Sequence, residues 1–79
     1  MQIHELKILP QYFYLVKSGR KNFELRKDDR NFQVRDLVTL REFYDGNYTG
    51  LEIKNIPINY ILRDCPEYGL KEGYCILGF

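Results

Sequence analysis

The first residues of the chain alternate between apolar and polar side chains. Within residues 2–9, Leu6 and Ile8 fall on one face of an extended chain, and charged residues fall on the other. This pattern predicts a first strand with Leu6 and Ile8 turned inward. His4 shares that inward face near the start of the strand. It is interpreted either as a histidine hydrogen-bonded at the rim of the core or as a titratable group at the mouth of a ligand cleft.

The segment after this strand has the apolar spacing of a helix. Pro10 suits the first helical turn, where its missing N–H is not needed. Phe13 and Val16 lie three residues apart and contribute to one apolar side. Gly19 can adopt the left-handed conformation that ends a helix. The pattern therefore predicts one main helix at residues 10–18, and a helix this short needs to pack on a sheet to persist.

Strand-like alternation resumes directly after the predicted helix. Phe23 and Leu25 fall on one face of an extended chain, and Glu24 and Arg26 fall on the other. Lys21 lies at the entry to this strand, where its long stem can reach the polar face. One acid and two bases are therefore expected to share a small area just beyond the helix end.

The rest of the chain has further strand and turn signals. A strand is predicted at residues 37–44, followed by a turn at 45–47. In the next strand the apolar residues change register, which predicts a bulge or bend near Asn55. Residues 64–73 contain one proline and two glycines and are expected to form an irregular loop with a short helical turn. A final strand is predicted at 74–79.

These elements amount to five or six strands and one main helix, which is an α+β composition. At 79 residues, the chain is expected to fold as a single domain over residues 1–79. Seven tyrosines and five phenylalanines suggest a core built around a few large rings, with most tyrosines in the core or at its rim. Large side chains suit the narrow interior of a small barrel, and a bent long strand would help a sheet to close on itself.

The charges are unevenly distributed along the chain. The formal net charge is only +1, but residues 17–41 hold eight Lys or Arg against four Asp or Glu, a local charge of +4. The other residues hold four against seven, a local charge of −3. The basic part contains the Lys21 to Arg26 segment, so the distribution is compatible with a ligand that carries phosphate.

The sequence gives no sign of a metal site, a cofactor or a membrane span. Cys65 and Cys75 lack paired spacing, and a zinc site built from them and His4 would still lack a fourth ligand. No glycine-rich phosphate loop is present. No apolar run approaches the roughly 20 residues of a spanning helix, and no signal peptide is apparent. We therefore expect no cofactor, no metal, reduced cysteines and a cytoplasmic location.

The spacing Gly19-x-Lys21-x-x-Glu24-x-Arg26 resembles the G-x-K-x-x-E-x-R signature of the ASCH superfamily. Other stretches resemble a small bacterial and phage branch of that superfamily: His4-x-Leu6-Lys7-Ile8, Phe23 to Arg30, Tyr48-Thr49-Gly50 and Gly73 to Phe79. The resemblance covers nearly the whole chain. It implies a small PUA-like mixed β-barrel and a function in binding RNA.

The first functional hypothesis is a module that binds RNA or another nucleotide-containing ligand. Lys21 and Arg26 would face phosphates or base edges, and Arg30 would add a donor from the adjacent loop. Glu24 would orient these cations or accept from a base amino group. Tyr48, like Tyr44, is a candidate for stacking on a base. With His4 at the cleft mouth, the candidate ligand-binding residues are Lys21, Glu24, Arg26, Arg30, Tyr48 and His4.

The second hypothesis is a small amidohydrolase acting on N4-acylated cytidine-like nucleosides. It follows from the resemblance, because one ASCH branch uses the motif lysine with a threonine three residues later and a downstream glutamate. Here Glu24 stands where that threonine would be, and Glu67 and Glu72 are the available downstream glutamates. In this alternative Lys21 and Glu24 would transfer protons, although their mutual attraction makes Lys21 a poorer nucleophile.

The third hypothesis is a non-catalytic module that binds another protein. In that case Lys21, Glu24 and Arg26 form a local network of ion pairs that supports the fold. Ion pairs at the entry to a strand are common and need no ligand. The sequence alone leaves this alternative open.

Overall fold

The computed structural model describes residues 1–79 and contains six strands and one α-helix. In chain order the elements are β1 (Ile3–Ile8), α1 (Pro10–Lys17), β2 (Phe23–Lys27), β3 (Leu37–Tyr44), β4 (Asn47–Pro57), β5 (Tyr60–Leu62), a 3-10 turn (Pro66–Tyr68) and β6 (Tyr74–Gly78). The predicted α+β composition, the single main helix and the number of strands are confirmed.

The six strands form two open sheets rather than one barrel. One sheet has the order β1-β3-β4, with β1 parallel to β3 and β4 antiparallel to it. The other has the order β2-β6-β5 and is antiparallel throughout. The predicted PUA-like mixed β-barrel is therefore wrong. Closing it would require the outer strands β1 and β2 to pair, and they share no ladder of backbone hydrogen bonds.

On the opposite side, the two sheets are joined by the chain itself. Only Ile58 and Asn59 separate the end of β4 from the start of β5. The predicted bend is present, since Asn55 has a φ of 59° and the pairing of β3 with β4 changes register nearby. The backbone N–H of Ile58 then donates to the Asp36 carbonyl at 2.9 Å. Curvature in this long strand therefore carries the chain from one sheet to the other without closing a barrel.

The core lies between the sheets and α1. It consists of nine buried residues: Leu6, Ile8, Phe13, Phe32, Val38, Leu40, Ile58, Cys75 and Leu77. The predicted inward positions of Leu6, Ile8, Val38 and Leu40 are confirmed. Of the twelve Phe and Tyr rings, only Phe13 and Phe32 belong to this core, and six of the seven tyrosines are exposed. The expectation of tyrosines in or around the core is wrong, because aliphatic side chains from both sheets fill it.

The single helix ends in a tight return that leads into β2. Pro10 occupies the first turn, and Phe13 is the helical residue buried in the core. Gly19 has a φ of 80°, which favours glycine. The Leu15 carbonyl then accepts from the backbone N–H groups of both Arg20 and Lys21, each at 3.0 Å. No helix in the structure is long and apolar enough to cross a membrane.

Candidate functional site

Strand β2 turns its charged face toward the interior. The predicted alternation is present, but Phe23 and Leu25 are 44% and 57% exposed, whereas Glu24 is only 5% exposed. Arg26 lies on the same side as Glu24 and is partly buried. Burying a carboxylate is unfavourable unless it is paired and hydrogen-bonded. The polar face of β2 is therefore a candidate location for a functional site.

The Glu24 carboxylate is held by two cations. The Lys21 ammonium contacts one carboxylate oxygen, Oε1, and also donates to the Phe23 carbonyl at 2.6 Å. A guanidinium nitrogen of Arg26, Nη1, lies 3.6 Å from the other oxygen, Oε2. The side chains of Lys21 and Arg26 are 14% and 24% exposed, so both cations are partly withdrawn from water. The three groups carry a net charge of +1 in a small, shielded area.

Arginine side chains bridge the gap between the outer strands β1 and β2. Arg26 donates from Nη1 to the Lys7 carbonyl at 3.0 Å. Arg30, in the loop after β2, donates to the Glu5 carbonyl at 2.8 Å. These contacts occupy carbonyls on the edge of β1 that would pair with β2 in a closed barrel. Each guanidinium has further donors that remain available, because arginine carries five N–H groups.

A cleft of about 460 Å³ opens beside these residues, and it is bounded by β1, α1 and β2. It is lined by the apolar Ile8, Leu9, Tyr12, Phe23 and Leu25 and by the charged Lys7, Lys21, Glu24 and Arg26. The Lys21 ammonium lies 4.8 Å from the centre of the Phe23 ring and 5.6 Å from that of Tyr12. The cleft thus combines aromatic and aliphatic walls with a buried acid and its cations, which is the usual make-up of a small-molecule site.

The pKa of Arg26 is lowered, and burial is the main cause. Desolvation lowers the pKa of Arg26, the negative charge of Glu24 raises it, and the neighbouring Arg30 lowers it again. The net direction is downward, although arginine stays protonated at neutral pH. Removal from water is therefore the main cause of the shift, and the nearby acids Glu24 and Asp29 offset only part of it.

The structure places His4 in the core and outside the cleft. Its ring nitrogen Nε2 lies 2.9 Å from Oδ2 of Asp36, and its ring packs edge-on against Phe32 with centroids 4.7 Å apart. Asp36 also accepts from the backbone N–H groups of Gln2 and Gln33, each at 3.0 Å. The His4 hydrogen bond, followed by the Gln2 N–H, lowers the pKa of Asp36 to about 2. His4 thus has the contacts of a hydrogen-bonded core residue.

Tyr48 also lies away from the cleft. It is the second residue of β4, where its ring packs edge-on against Phe43 at 5.2 Å, and the Arg41 guanidinium carbon lies 3.8 Å from its centroid. One face of the ring is therefore already covered. Of the predicted ligand-binding residues, the structure brings together Lys21, Glu24, Arg26 and Arg30, and it separates His4 and Tyr48 from them.

Some contacts around the site were not expected from the sequence. Arg63 forms two hydrogen bonds with the Asp28 carboxylate, at 2.7 and 3.2 Å, and one with the Phe32 carbonyl at 3.2 Å. Asp28 and Arg63 are 35 residues apart, so no local pattern in the sequence indicates that they pair. The cleft walls formed by Tyr12 and Phe23 were also missed, because apolar residues next to a motif are usually assigned to the core.

The cysteines form no site. Cys65 and Cys75 are both free, and burial raises the pKa of the Cys75 thiol, which keeps it protonated. No group of three or more histidine, cysteine or acidic side chains is arranged to hold a metal ion. The polar chemistry of the cleft is therefore that of lysine, arginine and glutamate.

Comparison with known proteins identifies a family without assigning an activity. Residues 3–79 match the family described as "Domain of unknown function (DUF3850)". A protein of Escherichia phage P2, described as "Uncharacterized 12.9 kDa protein in GpA 3'region", is 42% identical over 53 residues. That match covers 67% of the present chain and 49% of the phage protein, so the chain spans about half of its relative's length.

Proposed function

The chain belongs to the DUF3850 family, and for it we propose a function in binding RNA through the cleft beside β2. In this proposal an unpaired nucleotide of a single strand enters the cleft between Leu9, Tyr12 and Phe23. Glu24 and its two cations contact the polar edge of the base and the adjoining backbone. The ligand is thus recognised one nucleotide at a time rather than as a duplex.

The buried Glu24 carboxylate between Lys21 and Arg26 is the observation that supports this proposal most directly. A buried ion pair is on average a poor way to stabilise a fold, because desolvation offsets most of the attraction. A buried ion pair at the floor of an open cleft is better explained by a role in binding a ligand. A carboxylate accepts hydrogen bonds from base amino groups, and the flanking cations attract phosphate.

The cleft walls and its size favour a flat heterocycle. Phe23 and Tyr12 are each 44% exposed, and Leu9 is 48% exposed, so these apolar side chains have surface free for contact. Unpaired bases of RNA stack on such rings, whereas bases within a duplex are unavailable. The volume of about 460 Å³ lies within the usual range of roughly 300–1,000 Å³ for ligand sites.

Two features of the sequence support RNA as the ligand. The spacing of Gly19, Lys21, Glu24 and Arg26 is similar to the ASCH signature, and members of that superfamily are expected to bind RNA. The local charge of +4 over residues 17–41 also favours a polyanion. Membership of the ASCH superfamily and a cytoplasmic location stay predictions, and both are consistent with an RNA ligand.

Fluorescence anisotropy with a labelled, short, random-sequence single-stranded RNA tests the proposal. We expect weak binding at low salt that falls further as salt rises, because released counterions contribute to affinity. Arg26→Gln should weaken binding. Lys54→Gln is the matched control, since Lys54 is exposed, forms no side-chain hydrogen bond or ion pair and does not line the cleft. A folded Lys21→Ala/Arg26→Ala variant that binds as tightly as the parent contradicts the proposal.

The amidohydrolase alternative stays a prediction that the same cleft makes testable. The Lys21 side-chain nitrogen is already engaged in an ion pair with Glu24 and a hydrogen bond to the Phe23 carbonyl, whereas a nucleophile needs a free neutral amine. We therefore prefer binding to catalysis. Incubation of the protein with N4-acylated cytidines, followed by chromatography, would reverse this preference if turnover occurs and Lys21→Ala abolishes it.

The protein-interaction alternative also stays a prediction. It treats the contacts of Lys21, Glu24 and Arg26 as structural, so alanine substitutions would lower stability without changing the affinity for any nucleotide. Anisotropy and urea denaturation of the same variants separate the two explanations. Loss of RNA affinity in a variant of unchanged stability would favour the RNA-binding function.

A further inference from the structure

A second, smaller cavity of about 250 Å³ lies on the other side of Arg26. Leu25 and Arg26 line both cavities, so the two are direct neighbours. The second cavity differs from the cleft in its charge. Arg26, Lys27 and Arg30 line it together with one acidic residue, Asp29, which gives a local charge of +2.

The edge of β1 fixes the positions of the two arginines. Arg26 donates to the Lys7 carbonyl and Arg30 donates to the Glu5 carbonyl, at 3.0 and 2.8 Å. Carbonyls two residues apart on one edge of a strand are separated by about 6.6 Å, given a rise of about 3.3 Å per residue. The two guanidiniums are thereby held side by side, far enough apart for a small anion to contact both.

The positive charges of Arg26 and Arg30 also repel each other when no anion lies between them. The positive charge of Arg30 is one of the causes that lower the pKa of Arg26. Glu24 and, to a lesser extent, Asp29 offset part of this repulsion, since their charges raise the pKa of Arg26. One acid against three cations leaves an excess of positive charge that a dianion would neutralise.

We propose that the second cavity is a phosphate subsite between Arg26 and Arg30, and that the ligand is a phosphorylated nucleotide whose base lies in the cleft. This inference rests on the proposed function and names the part of the nucleotide that the function left unassigned. Tetrahedral phosphate offers several oxygens, so each guanidinium can donate two hydrogen bonds to it. The cavity is several times the roughly 30 Å³ that one water molecule takes up, which leaves room for a hydrated phosphate.

Calorimetric titration of the full chain with nucleosides and with their 3′- and 5′-monophosphates tests the subsite. We expect the better monophosphate to bind about tenfold more tightly than the nucleoside, the effect of one strong charged contact. Arg30→Gln should remove most of that advantage. Arg20→Gln is the matched control, because Arg20 is exposed, forms no side-chain hydrogen bond and lines neither cavity.

Three further measurements keep the test independent of folding and of the base. Arg30→Lys retains the charge without the planar fork, and it should keep a reduced advantage for the monophosphate. Inorganic phosphate should shift the NMR signals of the Arg26 and Arg30 side-chain Nε–H groups in the parent protein. Melting temperatures of all variants identify any that fail to fold.

The outcomes separate this inference from the function on which it rests. Equal affinity for nucleosides and monophosphates, with RNA binding intact, overturns the subsite and leaves RNA binding standing. Shifts of Arg26 and Arg30 with inorganic phosphate, but no binding of nucleotides or RNA, support the anion site and overturn the proposed function. An absence of any shift on addition of phosphate also overturns the subsite.

Discussion

The Lys21 ammonium contacts the carboxylate of Glu24, three residues further along the chain, and both side chains are largely withdrawn from water. This contact links the helix end to the buried face of β2. It also means that Lys21 contributes to folding as well as to the proposed site. A loss of function in a Lys21 variant is therefore informative only when stability is measured on the same sample.

Lys21→Met should destabilise the protein by about 1–3 kcal/mol, because the buried Glu24 carboxylate loses its closest partner. Methionine lacks only the terminal nitrogen position of the lysine side chain, so the change removes mainly the charge. Adding Glu24→Gln should restore much of the loss, since the unpaired buried charge is then gone. Urea denaturation of the parent, both single variants and the double variant gives the coupling energy.

A Lys21→Met variant of nearly unchanged stability would contradict this interpretation of the Lys21–Glu24 pair. If Lys21→Met unfolds within about 0.5 kcal/mol of the parent, the change is that of an ordinary surface substitution. Glu24 would then be satisfied by Arg26 alone, whose nitrogen lies 3.6 Å from the second carboxylate oxygen.

Much of the local structure could be predicted because its signals lie close together in the sequence. The helix has Pro10 at its start and Gly19 just beyond its end, and the strand 37–44 has Val38 and Leu40 on either side of a polar residue and ends at the Asp45-Gly46 turn. The barrel could not be predicted in this way. Closure depends on whether β1 pairs with β2, and neither strand's own pattern contains that information.

In the candidate site, too, the contacts between residues close together in the sequence could be predicted, and the long-range contacts could not. Lys21, Glu24, Arg26 and Arg30 come together because they lie on one strand and its flanking turns, within ten residues. His4 was ambiguous because its partner Asp36 is 32 residues away. Contacts between residues so far apart in the sequence depend on how the strands pair, so the pattern of a single sequence does not show them.

Asp36 should make the stability of the protein depend on pH in the acid range. Its pKa is lowered from an ordinary 3.8 to about 2, mainly by the hydrogen bond from His4. Because the folded-state pKa is below the unfolded one, Asp36 stabilises the fold above pH 3.8, and this contribution is lost as the pH falls toward 2. Thermal unfolding from pH 5 to pH 2 should therefore show a shallower decline for Asp36→Asn than for the parent.

The control for this measurement is Glu72→Gln, which removes an exposed carboxylate that forms no side-chain hydrogen bond or ion pair. Its pH profile should run parallel to that of the parent. A parallel profile for Asp36→Asn as well would mean that the hydrogen bonds from His4, Gln2 and Gln33 do not stabilise the charged form.

Gly19→Ala should destabilise the protein by about 1–2 kcal/mol, because its φ of 80° places a Cβ in strained contact with its own backbone. No neighbouring atom lies within 4 Å of the added Cβ, so the effect is one of conformation rather than crowding. Gly19→Asn should cost less, since asparagine tolerates the left-handed region. Equal losses for alanine and asparagine in urea denaturation would argue against this cause.

The pair of Asp28 and Arg63 should control the loop that carries Arg30. Arg63 donates to both carboxylate oxygens of Asp28, at 2.7 and 3.2 Å, and to the Phe32 carbonyl. This ties both ends of the segment around Arg30 to the residue that follows β5. The Asp28 hydrogen bond also raises the pKa of Arg63, as expected for a favourable pair.

Arg63→Met should lower the free energy of unfolding by about 1 kcal/mol, because the pair is partly exposed but doubly hydrogen-bonded. It should also speed amide hydrogen exchange in residues 29–33 and weaken RNA binding several-fold, since Arg30 is no longer held in place. Adding Arg30→Gln should then weaken binding little further, because both changes act on the same group.

Arg41→Met is the control: its contact with Glu52 is 3.6 Å long and lies away from the loop, so exchange in residues 29–33 should be unchanged. Exchange in that segment at the parental rate in Arg63→Met would show that the loop is ordered by other contacts, such as the Arg30 hydrogen bond to the Glu5 carbonyl.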